Sequence, residues 1–404
     1  MIIPEPELLL STLKDALVTP LAMTTLLFFG ALLLAEAAVR TLRVPRIAAL
    51  VLAGVLIGWL RKDNSAAALM PVPGVLLEAL SMVLLFEVGQ RVPLAWIRRN
   101  PWLLAASVGE TALTFGAIFA VLVYGFAIPT IECIFISVIC MGASPIVVMS
   151  VSKELRSRGQ VSERALLFST LSSVYAVLAM QILITAYLAA SQVQLSDALQ
   201  PLIQLLGSFL LGVVAAGALR LYAFTTRARG PVLTIGIICC CVLLYAYALP
   251  LGLSPLLSAL FFGLVVRGTD RTHGLLSHQT SETGAVISLA YFIVLGASLQ
   301  WLDSWIVAAM AGAVVAARAL AKVAANAMLA VPSALSPLKG AMVGVALTPL
   351  SSLEVLTAGL ATQPGLKDAA EIGAAVVLIT SILGPVLTEL ALRWSGEPTT
   401  RREP

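Results

Sequence analysis

The chain has 404 residues and a formal net charge of +4, with 59% hydrophobic and only 11% charged residues, where soluble domains carry about 25% charged. That composition describes a protein that crosses the bilayer many times, and it leaves nothing for a nucleic-acid partner, because the surplus Lys and Arg sit at the ends of apolar spans. The five cysteines, Cys133, Cys140 and Cys239 to Cys241, all fall inside apolar segments and read as small hydrophobes, not as a disulfide framework.

Residues 1–19 are expected to form an extracytoplasmic lead-in; they lack a basic stretch and a cleavage site, so the first span serves as the insertion signal. Apolar runs bounded by turn residues then predict thirteen spans, at 20–42, 46–60, 74–97, 101–126, 130–155, 164–192, 197–224, 229–249, 253–267, 283–301, 304–331, 336–361 and 370–394. A polar tail, 395–404, follows. Charge asymmetry tests that count, since cytoplasmic loops hold the Lys and Arg. With the N-terminus outside, the inner loops collect Arg40, Arg43 and Arg46, then Arg91, Arg98 and Arg99, then Lys153, Arg156, Arg158 and Arg164. The later inner segments add Arg220, Arg227, Arg229, Arg267, Arg271, Lys339 and Arg393, while the outer side keeps Lys14, Arg61, Lys62 and Lys367. The pattern predicts a multi-pass protein of the plasma (bacterial inner) membrane with a cytoplasmic C-terminus.

Two spans carry proline at their centres: "CMGASPIVVMS" holds Gly142, Ser144 and Pro145, and "GVALTPLSSLEV" holds Thr348, Pro349, Ser351 and Ser352. Proline removes a backbone donor and clashes with the preceding turn, so each site frees polar groups that need partners inside protein or a wet cavity. The two interruptions lie seven spans apart, as do the two short spans at 46–60 and 253–267, so corresponding segments run in opposite directions. The chain therefore reads as two inverted repeats, 20–192 and 229–394, joined by a linking helix at 197–224. Paired interrupted helices in corresponding positions point to a transporter's substrate site and to alternating access.

The residues also resemble a known family. "ALSMVLLFEVGQRVPLAWIRRNP" is similar to the third-span signature of monovalent cation/proton antiporters, and "GASPIVVMSVSKELRSRGQVSERALLFSTLSSVYA" to their broken helix, loop and ion-site helix in unbroken order. "SPLLSALFFGLVVRGTDRTH" and "LKGAMVGVALTPLSSLEVLTAGLA" match later family segments, so the resemblance runs from about residue 20 to 394. It implies a thirteen-helix sodium/proton antiporter-like fold, two domains moving against each other, a homodimer, and an ion site where the broken helices cross beside the sixth span. That site would draw on Ser144, Pro145, Thr348, Pro349 and Ser351.

The family normally carries paired carboxylates in the sixth span, and here those positions read Ser172 and Ser173. Serine supplies a neutral oxygen to a cation but does not exchange a proton for it; the hydroxyls could equally back-bond to their own helix. Intramembrane charges are functional candidates by default. Lys322 resembles the family's basic residue of the eleventh span, with Arg318 at i−4, and the aspartate with which it would pair is missing. Lys322 must then find another anion, face a wet cavity or give up its proton. Among the acids, Glu354 is expected to replace the missing carboxylate because it shares a span with a break; Glu87 and Glu110 lie in spans three and four, and Glu87 with Arg91 reads as a helix-end pair.

The leading expectation is a secondary transporter that exchanges Na⁺ or K⁺ for H⁺ through a non-standard ion site. Two alternatives stay open: a Na⁺-coupled or facilitative carrier of another solute, and a transport-inactive regulatory membrane protein. No nucleotide-binding glycine loop, metal-ligand spacing or nucleophile with a base occurs, so neither an enzyme nor a cofactor or metal site is expected.

Overall fold

The structure, a computed structural model, describes residues 20–42, 44–60, 73–92, 96, 99–126, 128–188, 195–227, 230–269, 278–299, 304–350 and 366–398. All regular structure among them is helical, the one open-chain solution that satisfies every backbone group within a bilayer. In chain order the helices are α1 (Pro20–Leu42), α2 (Arg46–Leu60), α3 (Pro73–Arg91), α4 (Trp102–Phe126), α5 (Thr130–Met141), α6 (Pro145–Glu154) and α7 (Gln160–Leu188). They continue as α8 (Leu195–Thr226), α9 (Pro231–Ala248), α10 (Pro255–Thr269), α11 (His278–Ser298), α12 (Trp305–Met328), α13 (Pro337–Ala346) and α14 (Lys367–Trp394). Proline opens α3, α6, α9, α10 and α13, where its missing amide costs no hydrogen bond. Seven spans among the described residues are long and apolar enough to cross a membrane, and three shorter apolar helices accompany them.

Most limits fall within a few residues of expectation. Four differ by more: the tenth begins at His278, not 283, and the other three bear on the site. The third span ends at Arg91, not 97, because Pro93 withholds the next amide donor. The sixth begins at Gln160, which places Arg164 inside the helix, not in a loop; it is 3% exposed and donates to Ser333 Oγ at 2.6 Å. The twelfth stops at Ala346 at its proline break, and its part from residue 351 onward, with Ser351, Ser352 and Glu354, lies outside the described residues.

Packing sorts the helices into two bundles. In the scaffold bundle α10 packs along α3 and α8, and α11 along α2 and α3, with α1 and α9 at the flanks. In the broken-helix bundle α12 packs along α4, α13 and α14, α5 along α4 and α14, and α6 along α7. Fewer contacts join the two, through α7 with α8, α14 with α2, and α6 with α2 and α3. The scaffold helices approach backbone to backbone: a Cβ on Gly263 would stand 3.1 Å from Phe86 Cα, one on Gly89 3.1 Å from Gly263 Cα, and one on Gly54 2.9 Å from Gly296 Cα. Small residues at such crossings let van der Waals packing replace the hydrophobic drive that lipid removes.

The broken span sits at the centre of the molecule, 94% of its apolar window being buried, against 22% for α12. α12 instead presents a narrow inward stripe of Ala311, Val314, Arg318, Lys322 and Ala325 at helical spacing, its other faces turned outward. At the helix ends that carry the basic residues, Glu397, just past α14, closes the start of α7. Its carboxylate accepts from the amides of Val161 at 2.7 Å and Ser162 at 2.9 Å, and from Ser162 Oγ at 2.7 Å. A remote side chain thus does the work of an N-cap, and its charge faces the positive end of the helix dipole.

Candidate functional site

The interruption of the fifth span runs through Gly142, Ala143 and Ser144. Gly142 leaves the helix in extended conformation (φ −66°, ψ 176°), and Ser144 caps α6 by accepting from the Val147 amide at 3.4 Å. The twelfth span breaks after Ala346, and its Pro349 carbonyl accepts from the Ser144 amide at 2.8 Å. The two interruptions therefore meet, and the C-terminal ends of α5 and α13, the negative poles of two helix dipoles, converge on one point. α14 buttresses that point: Thr388 Oγ1 donates to the Ala346 carbonyl at 3.2 Å, and Thr380 Oγ1, which donates to the Val376 carbonyl of its own helix at 2.7 Å, lies 3.3 Å from the Leu350 carbonyl.

Arg318 occupies the crossing. Its Nε donates to the Cys140 carbonyl at 2.7 Å, and its Nη2 to the carbonyls of Gly142 at 2.6 Å, Leu347 at 3.1 Å and Pro349 at 3.4 Å. Nη1 donates to the Thr348 carbonyl. These acceptors come from the ends of both broken helices, and a planar guanidinium with five donors in fixed geometry is the side chain suited to gather them. The residue is 1% exposed. A positive charge tethered to α12 thus stands at the point to which the resemblance assigns the transported ion.

Lys322, one turn further along α12, finds the anion that the sixth span lacks. Its ammonium pairs with the Glu110 carboxylate of α4, both side chains 0% exposed, and also donates to the Met141 carbonyl at 3.1 Å. The hydroxyls of Thr111 and Thr114 lie 3.3 Å from the two Glu110 carboxylate oxygens, Thr111 beside Oε2 and Thr114 beside Oε1. Glu354, expected to stand in for the missing acid, lies outside the described residues.

The serines divide. Ser173 Oγ donates to the Ala143 carbonyl at 2.6 Å, with the Ser169 carbonyl 2.9 Å away, so it ties α7 to the first break. Ser172, fully buried, turns its hydroxyl to the Ser169 carbonyl of its own helix at 3.2 Å and does not join the crossing. The Thr348 hydroxyl back-bonds to the Val345 carbonyl at 2.6 Å, leaving its main-chain carbonyl to Arg318. Pro145 is the first residue of α6. Glu87 stands apart on α3: it does pair with Arg91 at 3.2 Å as its spacing predicts, but it also pairs with Lys153 of α6, a partner that the sequence does not disclose. Glu110 was visible only as an acid in an apolar run, because the packing of α4 on α12 brings together residues 212 positions apart.

An all-helical membrane bundle in which two broken helices meet around buried charges defines a class of secondary transporter fold. The family described as "Sodium/hydrogen exchanger, transmembrane" matches residues 24–394, and the chain belongs to it. A structure of the sodium proton antiporter MjNhaP1 from Methanocaldococcus jannaschii at pH 8 superposes with a TM-score of 0.67 at 15% identity, covering 93% of this chain and 97% of that one. A second structure of MjNhaP1, from an EM map, gives 0.65 at 15% identity over 94% and 99% of the two chains. At that identity the likeness shows the fold. No curated protein matches the sequence at a significant level.

Proposed function

We propose that the chain is a secondary transporter that exchanges a monovalent cation, Na⁺ or K⁺, for H⁺ by alternating access, with Glu110 and Lys322 as the coupling pair. The observation that carries this reading is the fully buried Glu110–Lys322 contact beside the crossing of the two breaks. A cation that reaches Glu110 replaces the ammonium as its counter-charge. An ammonium left without its anion in an apolar bundle is costly, and Lys322 releases its proton to the water on that side. On the return, a proton taken up by Lys322 restores the pair and expels the cation. One cation moves against one proton, and each transported state carries the same charge. Arg318 holds the broken ends together through both states, and Ser173 with the Ala143 carbonyl contributes neutral oxygens near the cation's path.

The test uses purified protein in sealed liposomes containing a pH dye, challenged with Na⁺, K⁺ or Li⁺ across an imposed pH gradient. Cation-evoked pH change in the native chain, lost by about 100-fold or more in Glu110→Gln and Lys322→Met, is the expected result. Full activity in Glu110→Gln refutes the assignment of this pair. A second reading, a transport-inactive regulatory protein, is favoured by Arg318 filling the carbonyl acceptors at the crossing. It predicts no response to any cation in the native chain and none in Ser173→Asp. The distribution of Arg and Lys supports a plasma-membrane orientation with the C-terminus in the cytoplasm, and the family resemblance supports a homodimer.

A further inference from the structure

The two bundles touch through few elements, and on the basic side one of those contacts is ionic. Glu87 belongs to α3 of the scaffold bundle and Lys153 to the last turn of α6 in the broken-helix bundle, and the two side chains are paired. Both are largely shielded, with side chains 10% and 15% exposed. We infer that this pair is a latch: it holds the cleft between α3 and α6 closed on the basic side, and its separation opens that side to water. The inference rests on the alternating-access reading above, to which it adds the residues that distinguish one state from the other.

Three features fit a latch better than a static brace. Glu87 keeps a second cation on its own helix, Arg91 at 3.2 Å, whose side chain is 39% exposed. When the bundles part, the carboxylate stays compensated and partly hydrated, so opening does not strand a bare buried charge. Lys153 ends a helix one turn from the loop that leads to α7, where a flexible ammonium reaches water as soon as the cleft widens. The seat is also shaped for the pair: Gly284 of α11 faces both groups, and a Cβ there would overlap the Glu87 carboxylate and stand 3.3 Å from Lys153 Nζ. Beside this pair a second contact crosses the same gap, the Arg46 amide of α2 donating to Glu154 Oε1 at 3.3 Å. The basic-side ends of α2 and α3 therefore both grip the end of α6.

The experiment reads water access directly, without requiring transport. Ser150 lies one turn deeper on α6 at i−3 from Lys153 and is 7% exposed, so Ser150→Cys, in a chain whose five native cysteines are alanine, reports the cleft. The full chain in lipid nanodiscs is labelled with a charged, membrane-impermeant maleimide. Slow labelling in this parent, about tenfold faster labelling in Lys153→Met and in Gly284→Ala, and parental labelling in Lys153→Arg are expected. Labelling at the parental rate in both Lys153→Met and Gly284→Ala overturns the latch. Should either variant fail to run as a single species on gel filtration, a Glu87→Cys, Lys153→Cys pair on the same background decides. Labelling is read by tandem mass spectrometry at position 150 alone, so that the two thiols freed by reduction are not counted. Position 150 must label slowly with the disulfide formed and faster once it is reduced and the reductant removed. No change on reduction refutes the proposal. Faster labelling in a chain that shows no antiport leaves the latch standing and removes the coupling assignment; the reverse pattern removes the latch alone.

Discussion

In the scaffold bundle α3 and α10 meet where Gly89 and Gly263 leave no room for a side chain, whereas in the broken-helix bundle α4 and α12 meet through a carboxylate and an ammonium. One crossing is made of close-fitting backbone and the other of opposed charge. Dispersion contacts are lost steeply when helices separate by an ångström, so the glycine crossings favour a body that moves as a unit. Charges can exchange partners, so in the proposed transport cycle the second bundle has two arrangements available where the first has one. The contrast assigns rigidity to one half and chemistry to the other.

The sharpest way to break that contrast is Arg318→Ala, which removes the donor to carbonyls of Cys140, Gly142, Leu347, Thr348 and Pro349. With each unsatisfied buried group costing about 1–3 kcal/mol, the variant is expected to lose its monodisperse gel-filtration peak, and Arg318→Lys to recover it only in part. Next in size, Glu110→Gln or Lys322→Met alone is expected to cost about 3–5 kcal/mol through the charge left behind. The double variant Glu110→Leu with Lys322→Met should melt close to the native chain while transporting nothing, a separation of stability from function that thermal denaturation and the dye assay read together. If the double variant is no better than the singles, the pair is not an isolated couple.

In the scaffold, Gly263→Ala forces α3 and α10 apart and is expected to cost about 1–3 kcal/mol while leaving a measurable cation response. Loss of transport at unchanged stability would show that this bundle also takes part in the chemistry. The smallest effect is expected from Glu397→Gln, about 1 kcal/mol for a weakened helix start, detectable as faster amide exchange at Val161 and Ser162.

How much of this was legible in the sequence follows from the range of the forces involved. Span limits and both interruptions could be read because proline acts on its own backbone, and Arg318 and Lys322 stood out because charge in an apolar run is rare. The partner of Lys322 could not be read. Membrane helices are apolar on most faces, so periodicity does not say that α4 lies against α12, and the packing that brings Glu110 to Lys322 leaves no trace along the chain. The same limit hid Lys153 behind Arg91, since the i,i+4 neighbour is visible along a helix and the cross-bundle one is not. Ser172 and Ser173 look equivalent as letters, yet their directions, about 100° apart around α7, send one hydroxyl to the break and the other back to its own helix.

Glu397 carries a practical lesson for handling the protein. Because its carboxylate seats on the Val161 and Ser162 amides, the first residues after α14 behave as a plug in the helix that bears the two serines. A purification handle or fluorescent fusion joined at Ser395 would unseat it and disturb the very helix under study. The same fusion joined after Pro398 would leave the plug in place, and comparing the two attachment points gives a simple control for any assay that needs a tagged protein.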